Sequence, residues 1–440
     1  MDVLIDFSTA VDVEIQLPAS KSISNRVLII RAVSGENVPI GNLAECDDTD
    51  VLLRALNSRN HTIDIGAAGT AMRFLTAYFA QKPHCECRLT GSERMKQRPI
   101  RLLVDALCDL GANINYAEQG GFPPIDVVGK QLEGGKIRLK GDVSSQYVSA
   151  LMMIAPMMKN GLRIELIPPV ISQPYIALTR QLMQTFGVDV SEEENVLKIT
   201  SSRYQMHPYV VESDWSAASY WYEILALRGK GAYFLRGLTN KGLQGDSKLA
   251  ELFLALGVSS TFEDEGVRIV ATGERVARME YNFVNQPDLA QTFVVTCCFL
   301  GIPFCFSGLG SLKIKETDRI FALRTELAKF GFEVCEPENG VLAWNGVRSE
   351  MQNTIISVAT YNDHRMAMAF APIALQQPIK IEHKEVVSKS YPTYWKDLEK
   401  TGFHIFSQKY TYFIFRVQNI LIFYKKCEIC IFLRKNLCLF

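Results

Sequence analysis

Cations, hydroxyls and carboxylates gather beside turns and helix starts in eight short runs. They are LPASKSISNR (17–26), GAAGTAMR (66–73), RMKQRPI (94–100), GDVSSQYVSA (141–150), QPDLAQT (286–292), IKETDR (314–319), YNDHRMAMA (361–369) and KSYP (389–392). Lysines, arginines and hydroxyls at helix starts suit the binding of small anions, and carboxylates among them suit proton transfer. Singly, each run has an ordinary reading. Lys21 or Arg98 alone reads as a solvated charge, Ser144 and Ser145 as helix caps with Gln146 in the first turn, and Asp288 as the cap of an apolar helix. Glu316 and Arg319 read as an i, i+3 ion pair of small value. There is no G-x-S-x-G run and no Cys and His arrangement in a signature context, so no nucleophile stands out. Cys85-x-Cys87 and Cys427-x-x-Cys430 are close pairs without a second pair or a His at ligand spacing, so no metal is expected.

The elements that must position these runs repeat. An amphipathic helix ending in glycine recurs at RLLVDALCDLGANI, ALTRQLMQTFGVDV, LAELFLALGVSST, LRTELAKFGFEV and YWKDLEKTGFHI, closing at Gly111, Gly187, Gly257, Gly331 and Gly402, about seventy residues apart. Glycine fits because a helix commonly ends in a left-handed residue. A second series, GTAMRFLTAYFA, SSQYVSALMMIAP, SAASYWYEILAL, LAQTFVVTCCFL and HRMAMAFAPIAL, is apolar nearly all round and predicts five buried helices. SISNRVLIIRAVS and DVLLRALNSRN make a first, less regular copy of both types. Six α/β units reach about residue 408 and divide naturally into two domains of three. Several of the buried helices start at the runs above, and converging N-termini make an anion site.

Length and composition agree. At 440 residues the chain exceeds what one core usually organises. With 48% hydrophobic and 21% charged residues it is neither disordered nor fibrous. Lys plus Arg equals Asp plus Glu at 47 each, so no overall charge draws nucleic acid or an acidic membrane, and neither is an expected partner. The N-terminal MDVLIDFSTAVDVEIQLPAS lacks the basic start and apolar core of a secretory signal, and a cytoplasmic location is expected. From Thr411 to Phe440 there is no Gly, Pro, Ala or Asp, and Arg416, Lys425, Lys426, Arg434 and Lys435 break the apolar runs short of the ~18 residues a span needs. Residues 409–440 therefore read as an atypical C-terminal tail.

In this order and at these intervals, the runs PASKSISNR, GTAMR, RPI, SSQ, KETDR and NDHRMAM resemble the 3-phosphoshikimate 1-carboxyvinyltransferase (EPSP synthase) family over roughly residues 5 to 405. The resemblance implies an α/β (α+β) fold of two similar domains, each of three βαβαββ units, with the active site in the interdomain cleft. One domain would run 16–212 and the other 1–15 plus 213–408. It implies transfer of the enolpyruvyl group of phosphoenolpyruvate to the 5-hydroxyl of shikimate 3-phosphate, with release of phosphate, by a monomer whose partners are those two small molecules; no cofactor is implied, because phosphoenolpyruvate already contains the activated group. By the same resemblance Lys21, Ser22, Arg26, Ser144, Ser145, Gln146, Ser172, Tyr175, Asp288, Ser311 and Lys315 hold shikimate 3-phosphate. Lys21, Gly69, Arg98, Gln146, Arg319, Arg365 and Lys389 hold phosphoenolpyruvate. Asp288 is the base on the hydroxyl, and Lys315, Glu316 and Lys21 serve the remaining proton transfers.

Two positions depart from the family pattern: Ala67 and Ser311 stand where Asn is usual. Gly69 is kept, and a side chain there would crowd the herbicide glyphosate, so sensitivity is expected. The same motifs leave two alternatives. One is the UDP-N-acetylglucosamine enolpyruvyl transferase, whose catalytic loop uses a Cys; the other is a catalytically inactive ligand-binding relative.

Overall fold

Helices that are apolar nearly all round can be satisfied only inside a core, and five such helices, with a sixth that is more polar at its start, organise this protein. In the computed structural model, which describes residues 1–9, 11–142, 144–240, 242–350 and 355–407 and the backbone of three strands beyond them, they are Lys21–Ser34, Gly69–Gln81, Ser145–Ile154, Trp215–Arg228, Ala290–Leu300 and His364–Phe370. The first three pack on one another, as do the last three. Two separate hydrophobic cores result. One draws on residues between Ala19 and Val211, the other on Val3 to Leu17 and Trp215 to Phe403.

Small sheets cover these helix trios, and four of them share one topology. Thr62–Asp64 runs parallel to Glu86–Thr90, which pairs antiparallel with Ile125–Val128, which pairs antiparallel with Asn113–Tyr116. Gly135–Lys140, Leu162–Ile167, Val196–Ile199 and Val190–Glu193 repeat the pattern. So do Glu14–Gln16, Ala232–Arg236, Gly266–Ala271 and Val258–Glu263. In the fourth copy the N-terminal strand Val3–Phe7 fills a place that its sequence neighbours leave open, between Ile379–Ile381 and Phe403–Ser407. The closing glycines Gly111, Gly187, Gly257, Gly331 and Gly402 all have φ between 80° and 98°, as the repeat required.

Two units fall short of the uniform βαβαββ pattern. In the first, Ile40–Gly41 pairs in parallel with Tyr209–Val210 alone; only residues 57–61 separate the helix Asp47–Leu56 from the next unit, too few for a hairpin. In the fifth, Met279–Asn282, Phe304–Ser307 and Leu342–Trp344 make three strands. Isolated bridges at Phe332 and Cys335 stand in for the fourth, where Pro337 lacks the N–H a ladder needs. Of the expected tail, the strands Tyr412–Val417, Ile420–Lys425 and Glu428–Phe432 pair among themselves; the rest of 409–440 lies outside the described residues. Among the described residues no helix is long and apolar enough to cross a membrane.

Candidate functional site

Between the two cores lies a cavity of about 360 Å³, and all six buried helices begin at its wall. Lys21, Gly69 and Ser145 reach it from one side, and Ser216, Asp288 and His364 from the other. The caps set these starts. Ser20 Oγ accepts from Ile23 N (3.4 Å), Ser144 Oγ from Gln146 N (3.3 Å), Asp214 Oδ1 from Ser216 N (2.7 Å) and Asp363 Oδ1 from Arg365 N (2.9 Å). Positive dipole ends therefore face one space.

Every residue expected at the site is at or beside this cavity. Ser22, Ser144, Ser145, Gln146, Ser172, Tyr175 and Ser311 supply hydroxyl and amide groups to its wall. Gln146 Nε2 donates to Thr70 Oγ1 (3.1 Å), and Tyr175 Oη reaches Asp288 Oδ2 of the opposite half (3.2 Å). Lys389 stands just behind the wall formed by Ser390. Its ammonium spans the halves, donating to the Ala67 carbonyl (3.1 Å) and lying 3.0 Å from Glu316 Oε1. At Ala67 it is the main chain, not an Asn side chain, that makes the polar contact.

The cations and carboxylates are interlaced. Arg319 binds Asp363 through Nε (2.7 Å), Asp288 through Nη1 (3.1 Å) and Glu316 through Nη2 (3.0 Å). Arg365 holds the Asp288 carboxylate (3.0 Å) and its carbonyl (3.1 Å), and Lys315 Nζ is 3.8 Å from Asp288 Oδ1. Lys21 pairs with Asp48 at 3.0 Å. Arg98 lies beneath Gly69, where a Cβ would come within 2.4 Å of its Nη1, and its buried Nε has no hydrogen-bond partner among the described residues. Arg26 is fastened to its own half instead, donating to Thr179 Oγ1, the Ser22 carbonyl and Ser149 Oγ.

Burial and charge divide the titrating groups. Burial pushes the carboxyls of Asp288 and Glu316 up, but neighbouring cations outweigh it and hold both well below the usual range, Arg365, Lys315 and Arg319 for the first and Lys389, Arg319 and Arg98 for the second. Burial lowers the Lys315 ammonium against the pull of Asp288. It also keeps His364 neutral, reinforced by Lys21 and Arg365. Asp246, buried behind the site, is lifted to about 7 by burial and by the Asp288 charge.

Several isolated readings are corrected by these contacts. Lys21 and Arg98 are not solvated surface charges; their side chains line a cleft. Asp288 makes no cap bond and spends its carboxylate on cations. Glu316 precedes the helix Arg319–Lys329, so its contact with Arg319 is a buried cross-link rather than a helical surface pair. Sequence reasoning missed Asp48 and Asp363 as partners of Lys21 and Arg319. Asp363 lay inside a run already singled out, whereas Asp48, one of several acids in a first helical turn, gave no signal beyond a favourable dipole. Such a set can hold two small polyanions side by side with a carboxylate between them. Among the described residues no group of His, Cys, Asp and Glu could hold a metal ion.

A family model described as EPSP synthase (3-phosphoshikimate 1-carboxyvinyltransferase) matches residues 54–398. The 3-phosphoshikimate 1-carboxyvinyltransferase of Bacteroides fragilis (strain ATCC 25285) is 52% identical over 409 residues, covering 92% of this chain and 99% of that protein. The one of Pasteurella multocida (strain Pm70) is 36% identical over 417 residues, covering 87% and 93%. A solved EPSP synthase from Acinetobacter baumannii shares the fold with a TM-score of 0.73 at 19% identity, covering 92% of this chain and all of that one.

Proposed function

The chain belongs to the EPSP synthase (3-phosphoshikimate 1-carboxyvinyltransferase) family, and from that membership we infer that it transfers the enolpyruvyl group of phosphoenolpyruvate to the 5-hydroxyl of shikimate 3-phosphate, releasing phosphate. The observation that carries the reading is the cavity itself, where hydroxyls, an amide, Lys21 and Arg98 from one half meet the interlaced Arg319, Arg365, Lys315, Asp288 and Glu316 of the other. Both substrates carry a carboxylate and a phosphate, the latter at roughly −1.5 to −2 near neutral pH. Arginine offers such groups a planar fork, lysine a point charge that also exchanges a proton.

In the proposed division of labour, Ser144, Ser145, Gln146, Ser172 and Tyr175 orient shikimate 3-phosphate, with Lys21, Ser22 and Arg26 behind them and Ser311 facing them. Arg98, Arg319, Arg365 and Lys389, with the backbone at Gly69, hold phosphoenolpyruvate. Asp288 takes the proton of the ring hydroxyl as its oxygen bonds to the carbon bearing phosphate, while the methylene carbon gains a proton. The tetrahedral intermediate then loses phosphate and a methyl proton. Lys315, whose burial eases proton release, suits the acid; Glu316, held ionised by Lys389 and Arg319, suits the base. Anionic substrates would draw Arg319 and Arg365 from Asp288 and so restore its basicity. Phosphoenolpyruvate already carries the activated group, so no cofactor enters the scheme.

We take the two domains as 16–212 and 1–15 plus 213–408, in a cytoplasmic monomer; the two cores support such a division, with Gln16 and Leu17 siding with the second half. The competing transferase with a catalytic cysteine is disfavoured because no cysteine lines the cavity among the described residues. The deciding experiment measures phosphate release from phosphoenolpyruvate with shikimate 3-phosphate, without it, and with UDP-N-acetylglucosamine. Release that requires shikimate 3-phosphate is expected. Release with the UDP-sugar alone, or none from folded protein, would overturn the assignment.

A further inference from the structure

The chain passes from one core to the other twice, and the two crossings lie side by side. Ala19 bridges Ser213, Ser20 N donates to the Glu212 carbonyl (2.8 Å), and Asp214 N donates to the Pro18 carbonyl (2.9 Å). Rotation of one half against the other must bend this short ribbon.

A loop of the second half grips it. Glu212 Oε1 accepts from Leu243 N (3.0 Å) and from Gln244 Nε2 (3.1 Å). The same Gln244 amide donates to the Ser213 carbonyl (2.8 Å) and accepts from Trp215 N (3.3 Å). Gln244 is buried, so these polar groups have little water to fall back on. One residue later, Gly245 faces the first half, where a Cβ would lie 2.2 Å from Pro174 Cβ. Its φ is outside the left-handed region, so what demands glycine here is the neighbour, not the backbone. Pro174 stands between Ser172 and Tyr175, and Tyr175 is the residue that touches Asp288 across the cleft.

Resting on the two-domain reading above, we propose that Gln244 and Gly245 form a closure stop. Gln244 staples the loop to the crossover ribbon, and Gly245 seats Pro174 against it, which sets how near Tyr175 and its neighbours come to Asp288. Both are positioning residues, since neither lines the cavity.

The test uses the full chain. Gly245→Ala adds one methyl at the seat without straining its own backbone. It is expected to lower kcat by about ten-fold or more, since a shift of ~1 Å in reacting geometry is that costly, and to raise KM for phosphoenolpyruvate. Shikimate 3-phosphate binding measured alone by calorimetry should stay within about two-fold, because an equal loss in both would mean a general defect. Adding Pro174→Gly to the same chain should recover most of the lost kcat, the signature of two residues in contact. Gln244→Met, which keeps the volume and removes the side-chain hydrogen bonds, should shift kcat and phosphoenolpyruvate KM in the same direction, and it stands in should the alanine variant not fold. Wild-type kcat and KM in either variant, or a loss that Pro174→Gly leaves untouched, would overturn the closure stop. Small-angle scattering separates this from the underlying reading: wild-type protein that does not contract with shikimate 3-phosphate and glyphosate would sink the two-domain hinge itself.

Discussion

Arg319 Nη1 lies 3.1 Å from Asp288 Oδ1, and the same guanidinium also holds Asp363 and Glu316. The carboxylate proposed as base is thus neutralised by a cation that an incoming anion can claim. Asp288→Asn keeps the size and removes both the charge and the base. A fall in kcat of roughly 10²–10⁴ is expected, with anion affinity kept or improved because Arg319 and Arg365 are freed. Steady-state kinetics beside calorimetry reads both, and turnover within a few-fold of wild type would remove Asp288 from the role.

Gly69 is the second point of leverage. A methyl there would approach the Arg98 guanidinium to 2.4–2.8 Å. Since the obstacle is the tip of a flexible side chain, Gly69→Ala should fold normally and displace Arg98. Roughly ten-fold weaker phosphoenolpyruvate binding is expected, about 1.4 kcal/mol, with glyphosate inhibition weakened as well and shikimate 3-phosphate affinity unchanged. Unaltered inhibition by glyphosate would show that Arg98 and Gly69 do not frame its site.

The Lys315 ammonium gives a pH signature. Burial lowers it below its ordinary 10.5 despite Asp288 beside it. As an acid it must be protonated, so kcat/KM, which reports the free enzyme, should fall on the alkaline side with a midpoint below 10.5. Lys315→Arg should move that limb to higher pH as well as slow the reaction. An alkaline limb identical in the variant assigns it to another group.

Away from the cavity, Glu223 sits fully buried in the helix Trp215–Arg228, and among the described residues neither oxygen has a hydrogen bond of good geometry, with only the Thr296 hydroxyl near enough to influence it. The nearby Thr296 hydroxyl donates to the Thr292 carbonyl instead. Burial raises the Glu223 carboxyl well above 4.5. The folded state therefore keeps a proton that the unfolded chain releases, and this group's contribution to stability, complete below pH 4.5, is lost as pH rises towards its folded value. Glu223→Gln should match wild type near pH 4.5 and gain on it by about 1.4 kcal/mol per pH unit above that, levelling off once pH passes the folded value. Denaturant melts at several pH values check it. A difference that does not change with pH would show that Glu223 is ionised in the fold.

Much of the fold was legible because burial and helix termination are local properties of a sequence. Runs such as FVVTCCFL have no polar face, and they are buried. Glycines such as Gly187 and Gly402 end helices where only a left-handed residue fits. Uniformity of the six units was not legible, since the short first and fifth sheets depend on how few residues remain for a hairpin and on where Pro337 falls.

By itself the sequence determined which groups were available: a set of helix starts rich in hydroxyls and cations, with carboxylates at Asp288 and Glu316, suited to small anions. It also determined the six-fold recurrence, because periodicity records which face of each element is apolar. Only the tertiary structure decided the pairings. Lys21 meets Asp48, Arg319 meets Asp363 and Lys389 meets Glu316 and Ala67, and Val3–Phe7 completes a sheet whose other strands come from 356–407. A lysine's spacing along the chain says nothing of the carboxylate it faces across a cleft, and that choice, through burial and charge, sets which groups can exchange a proton.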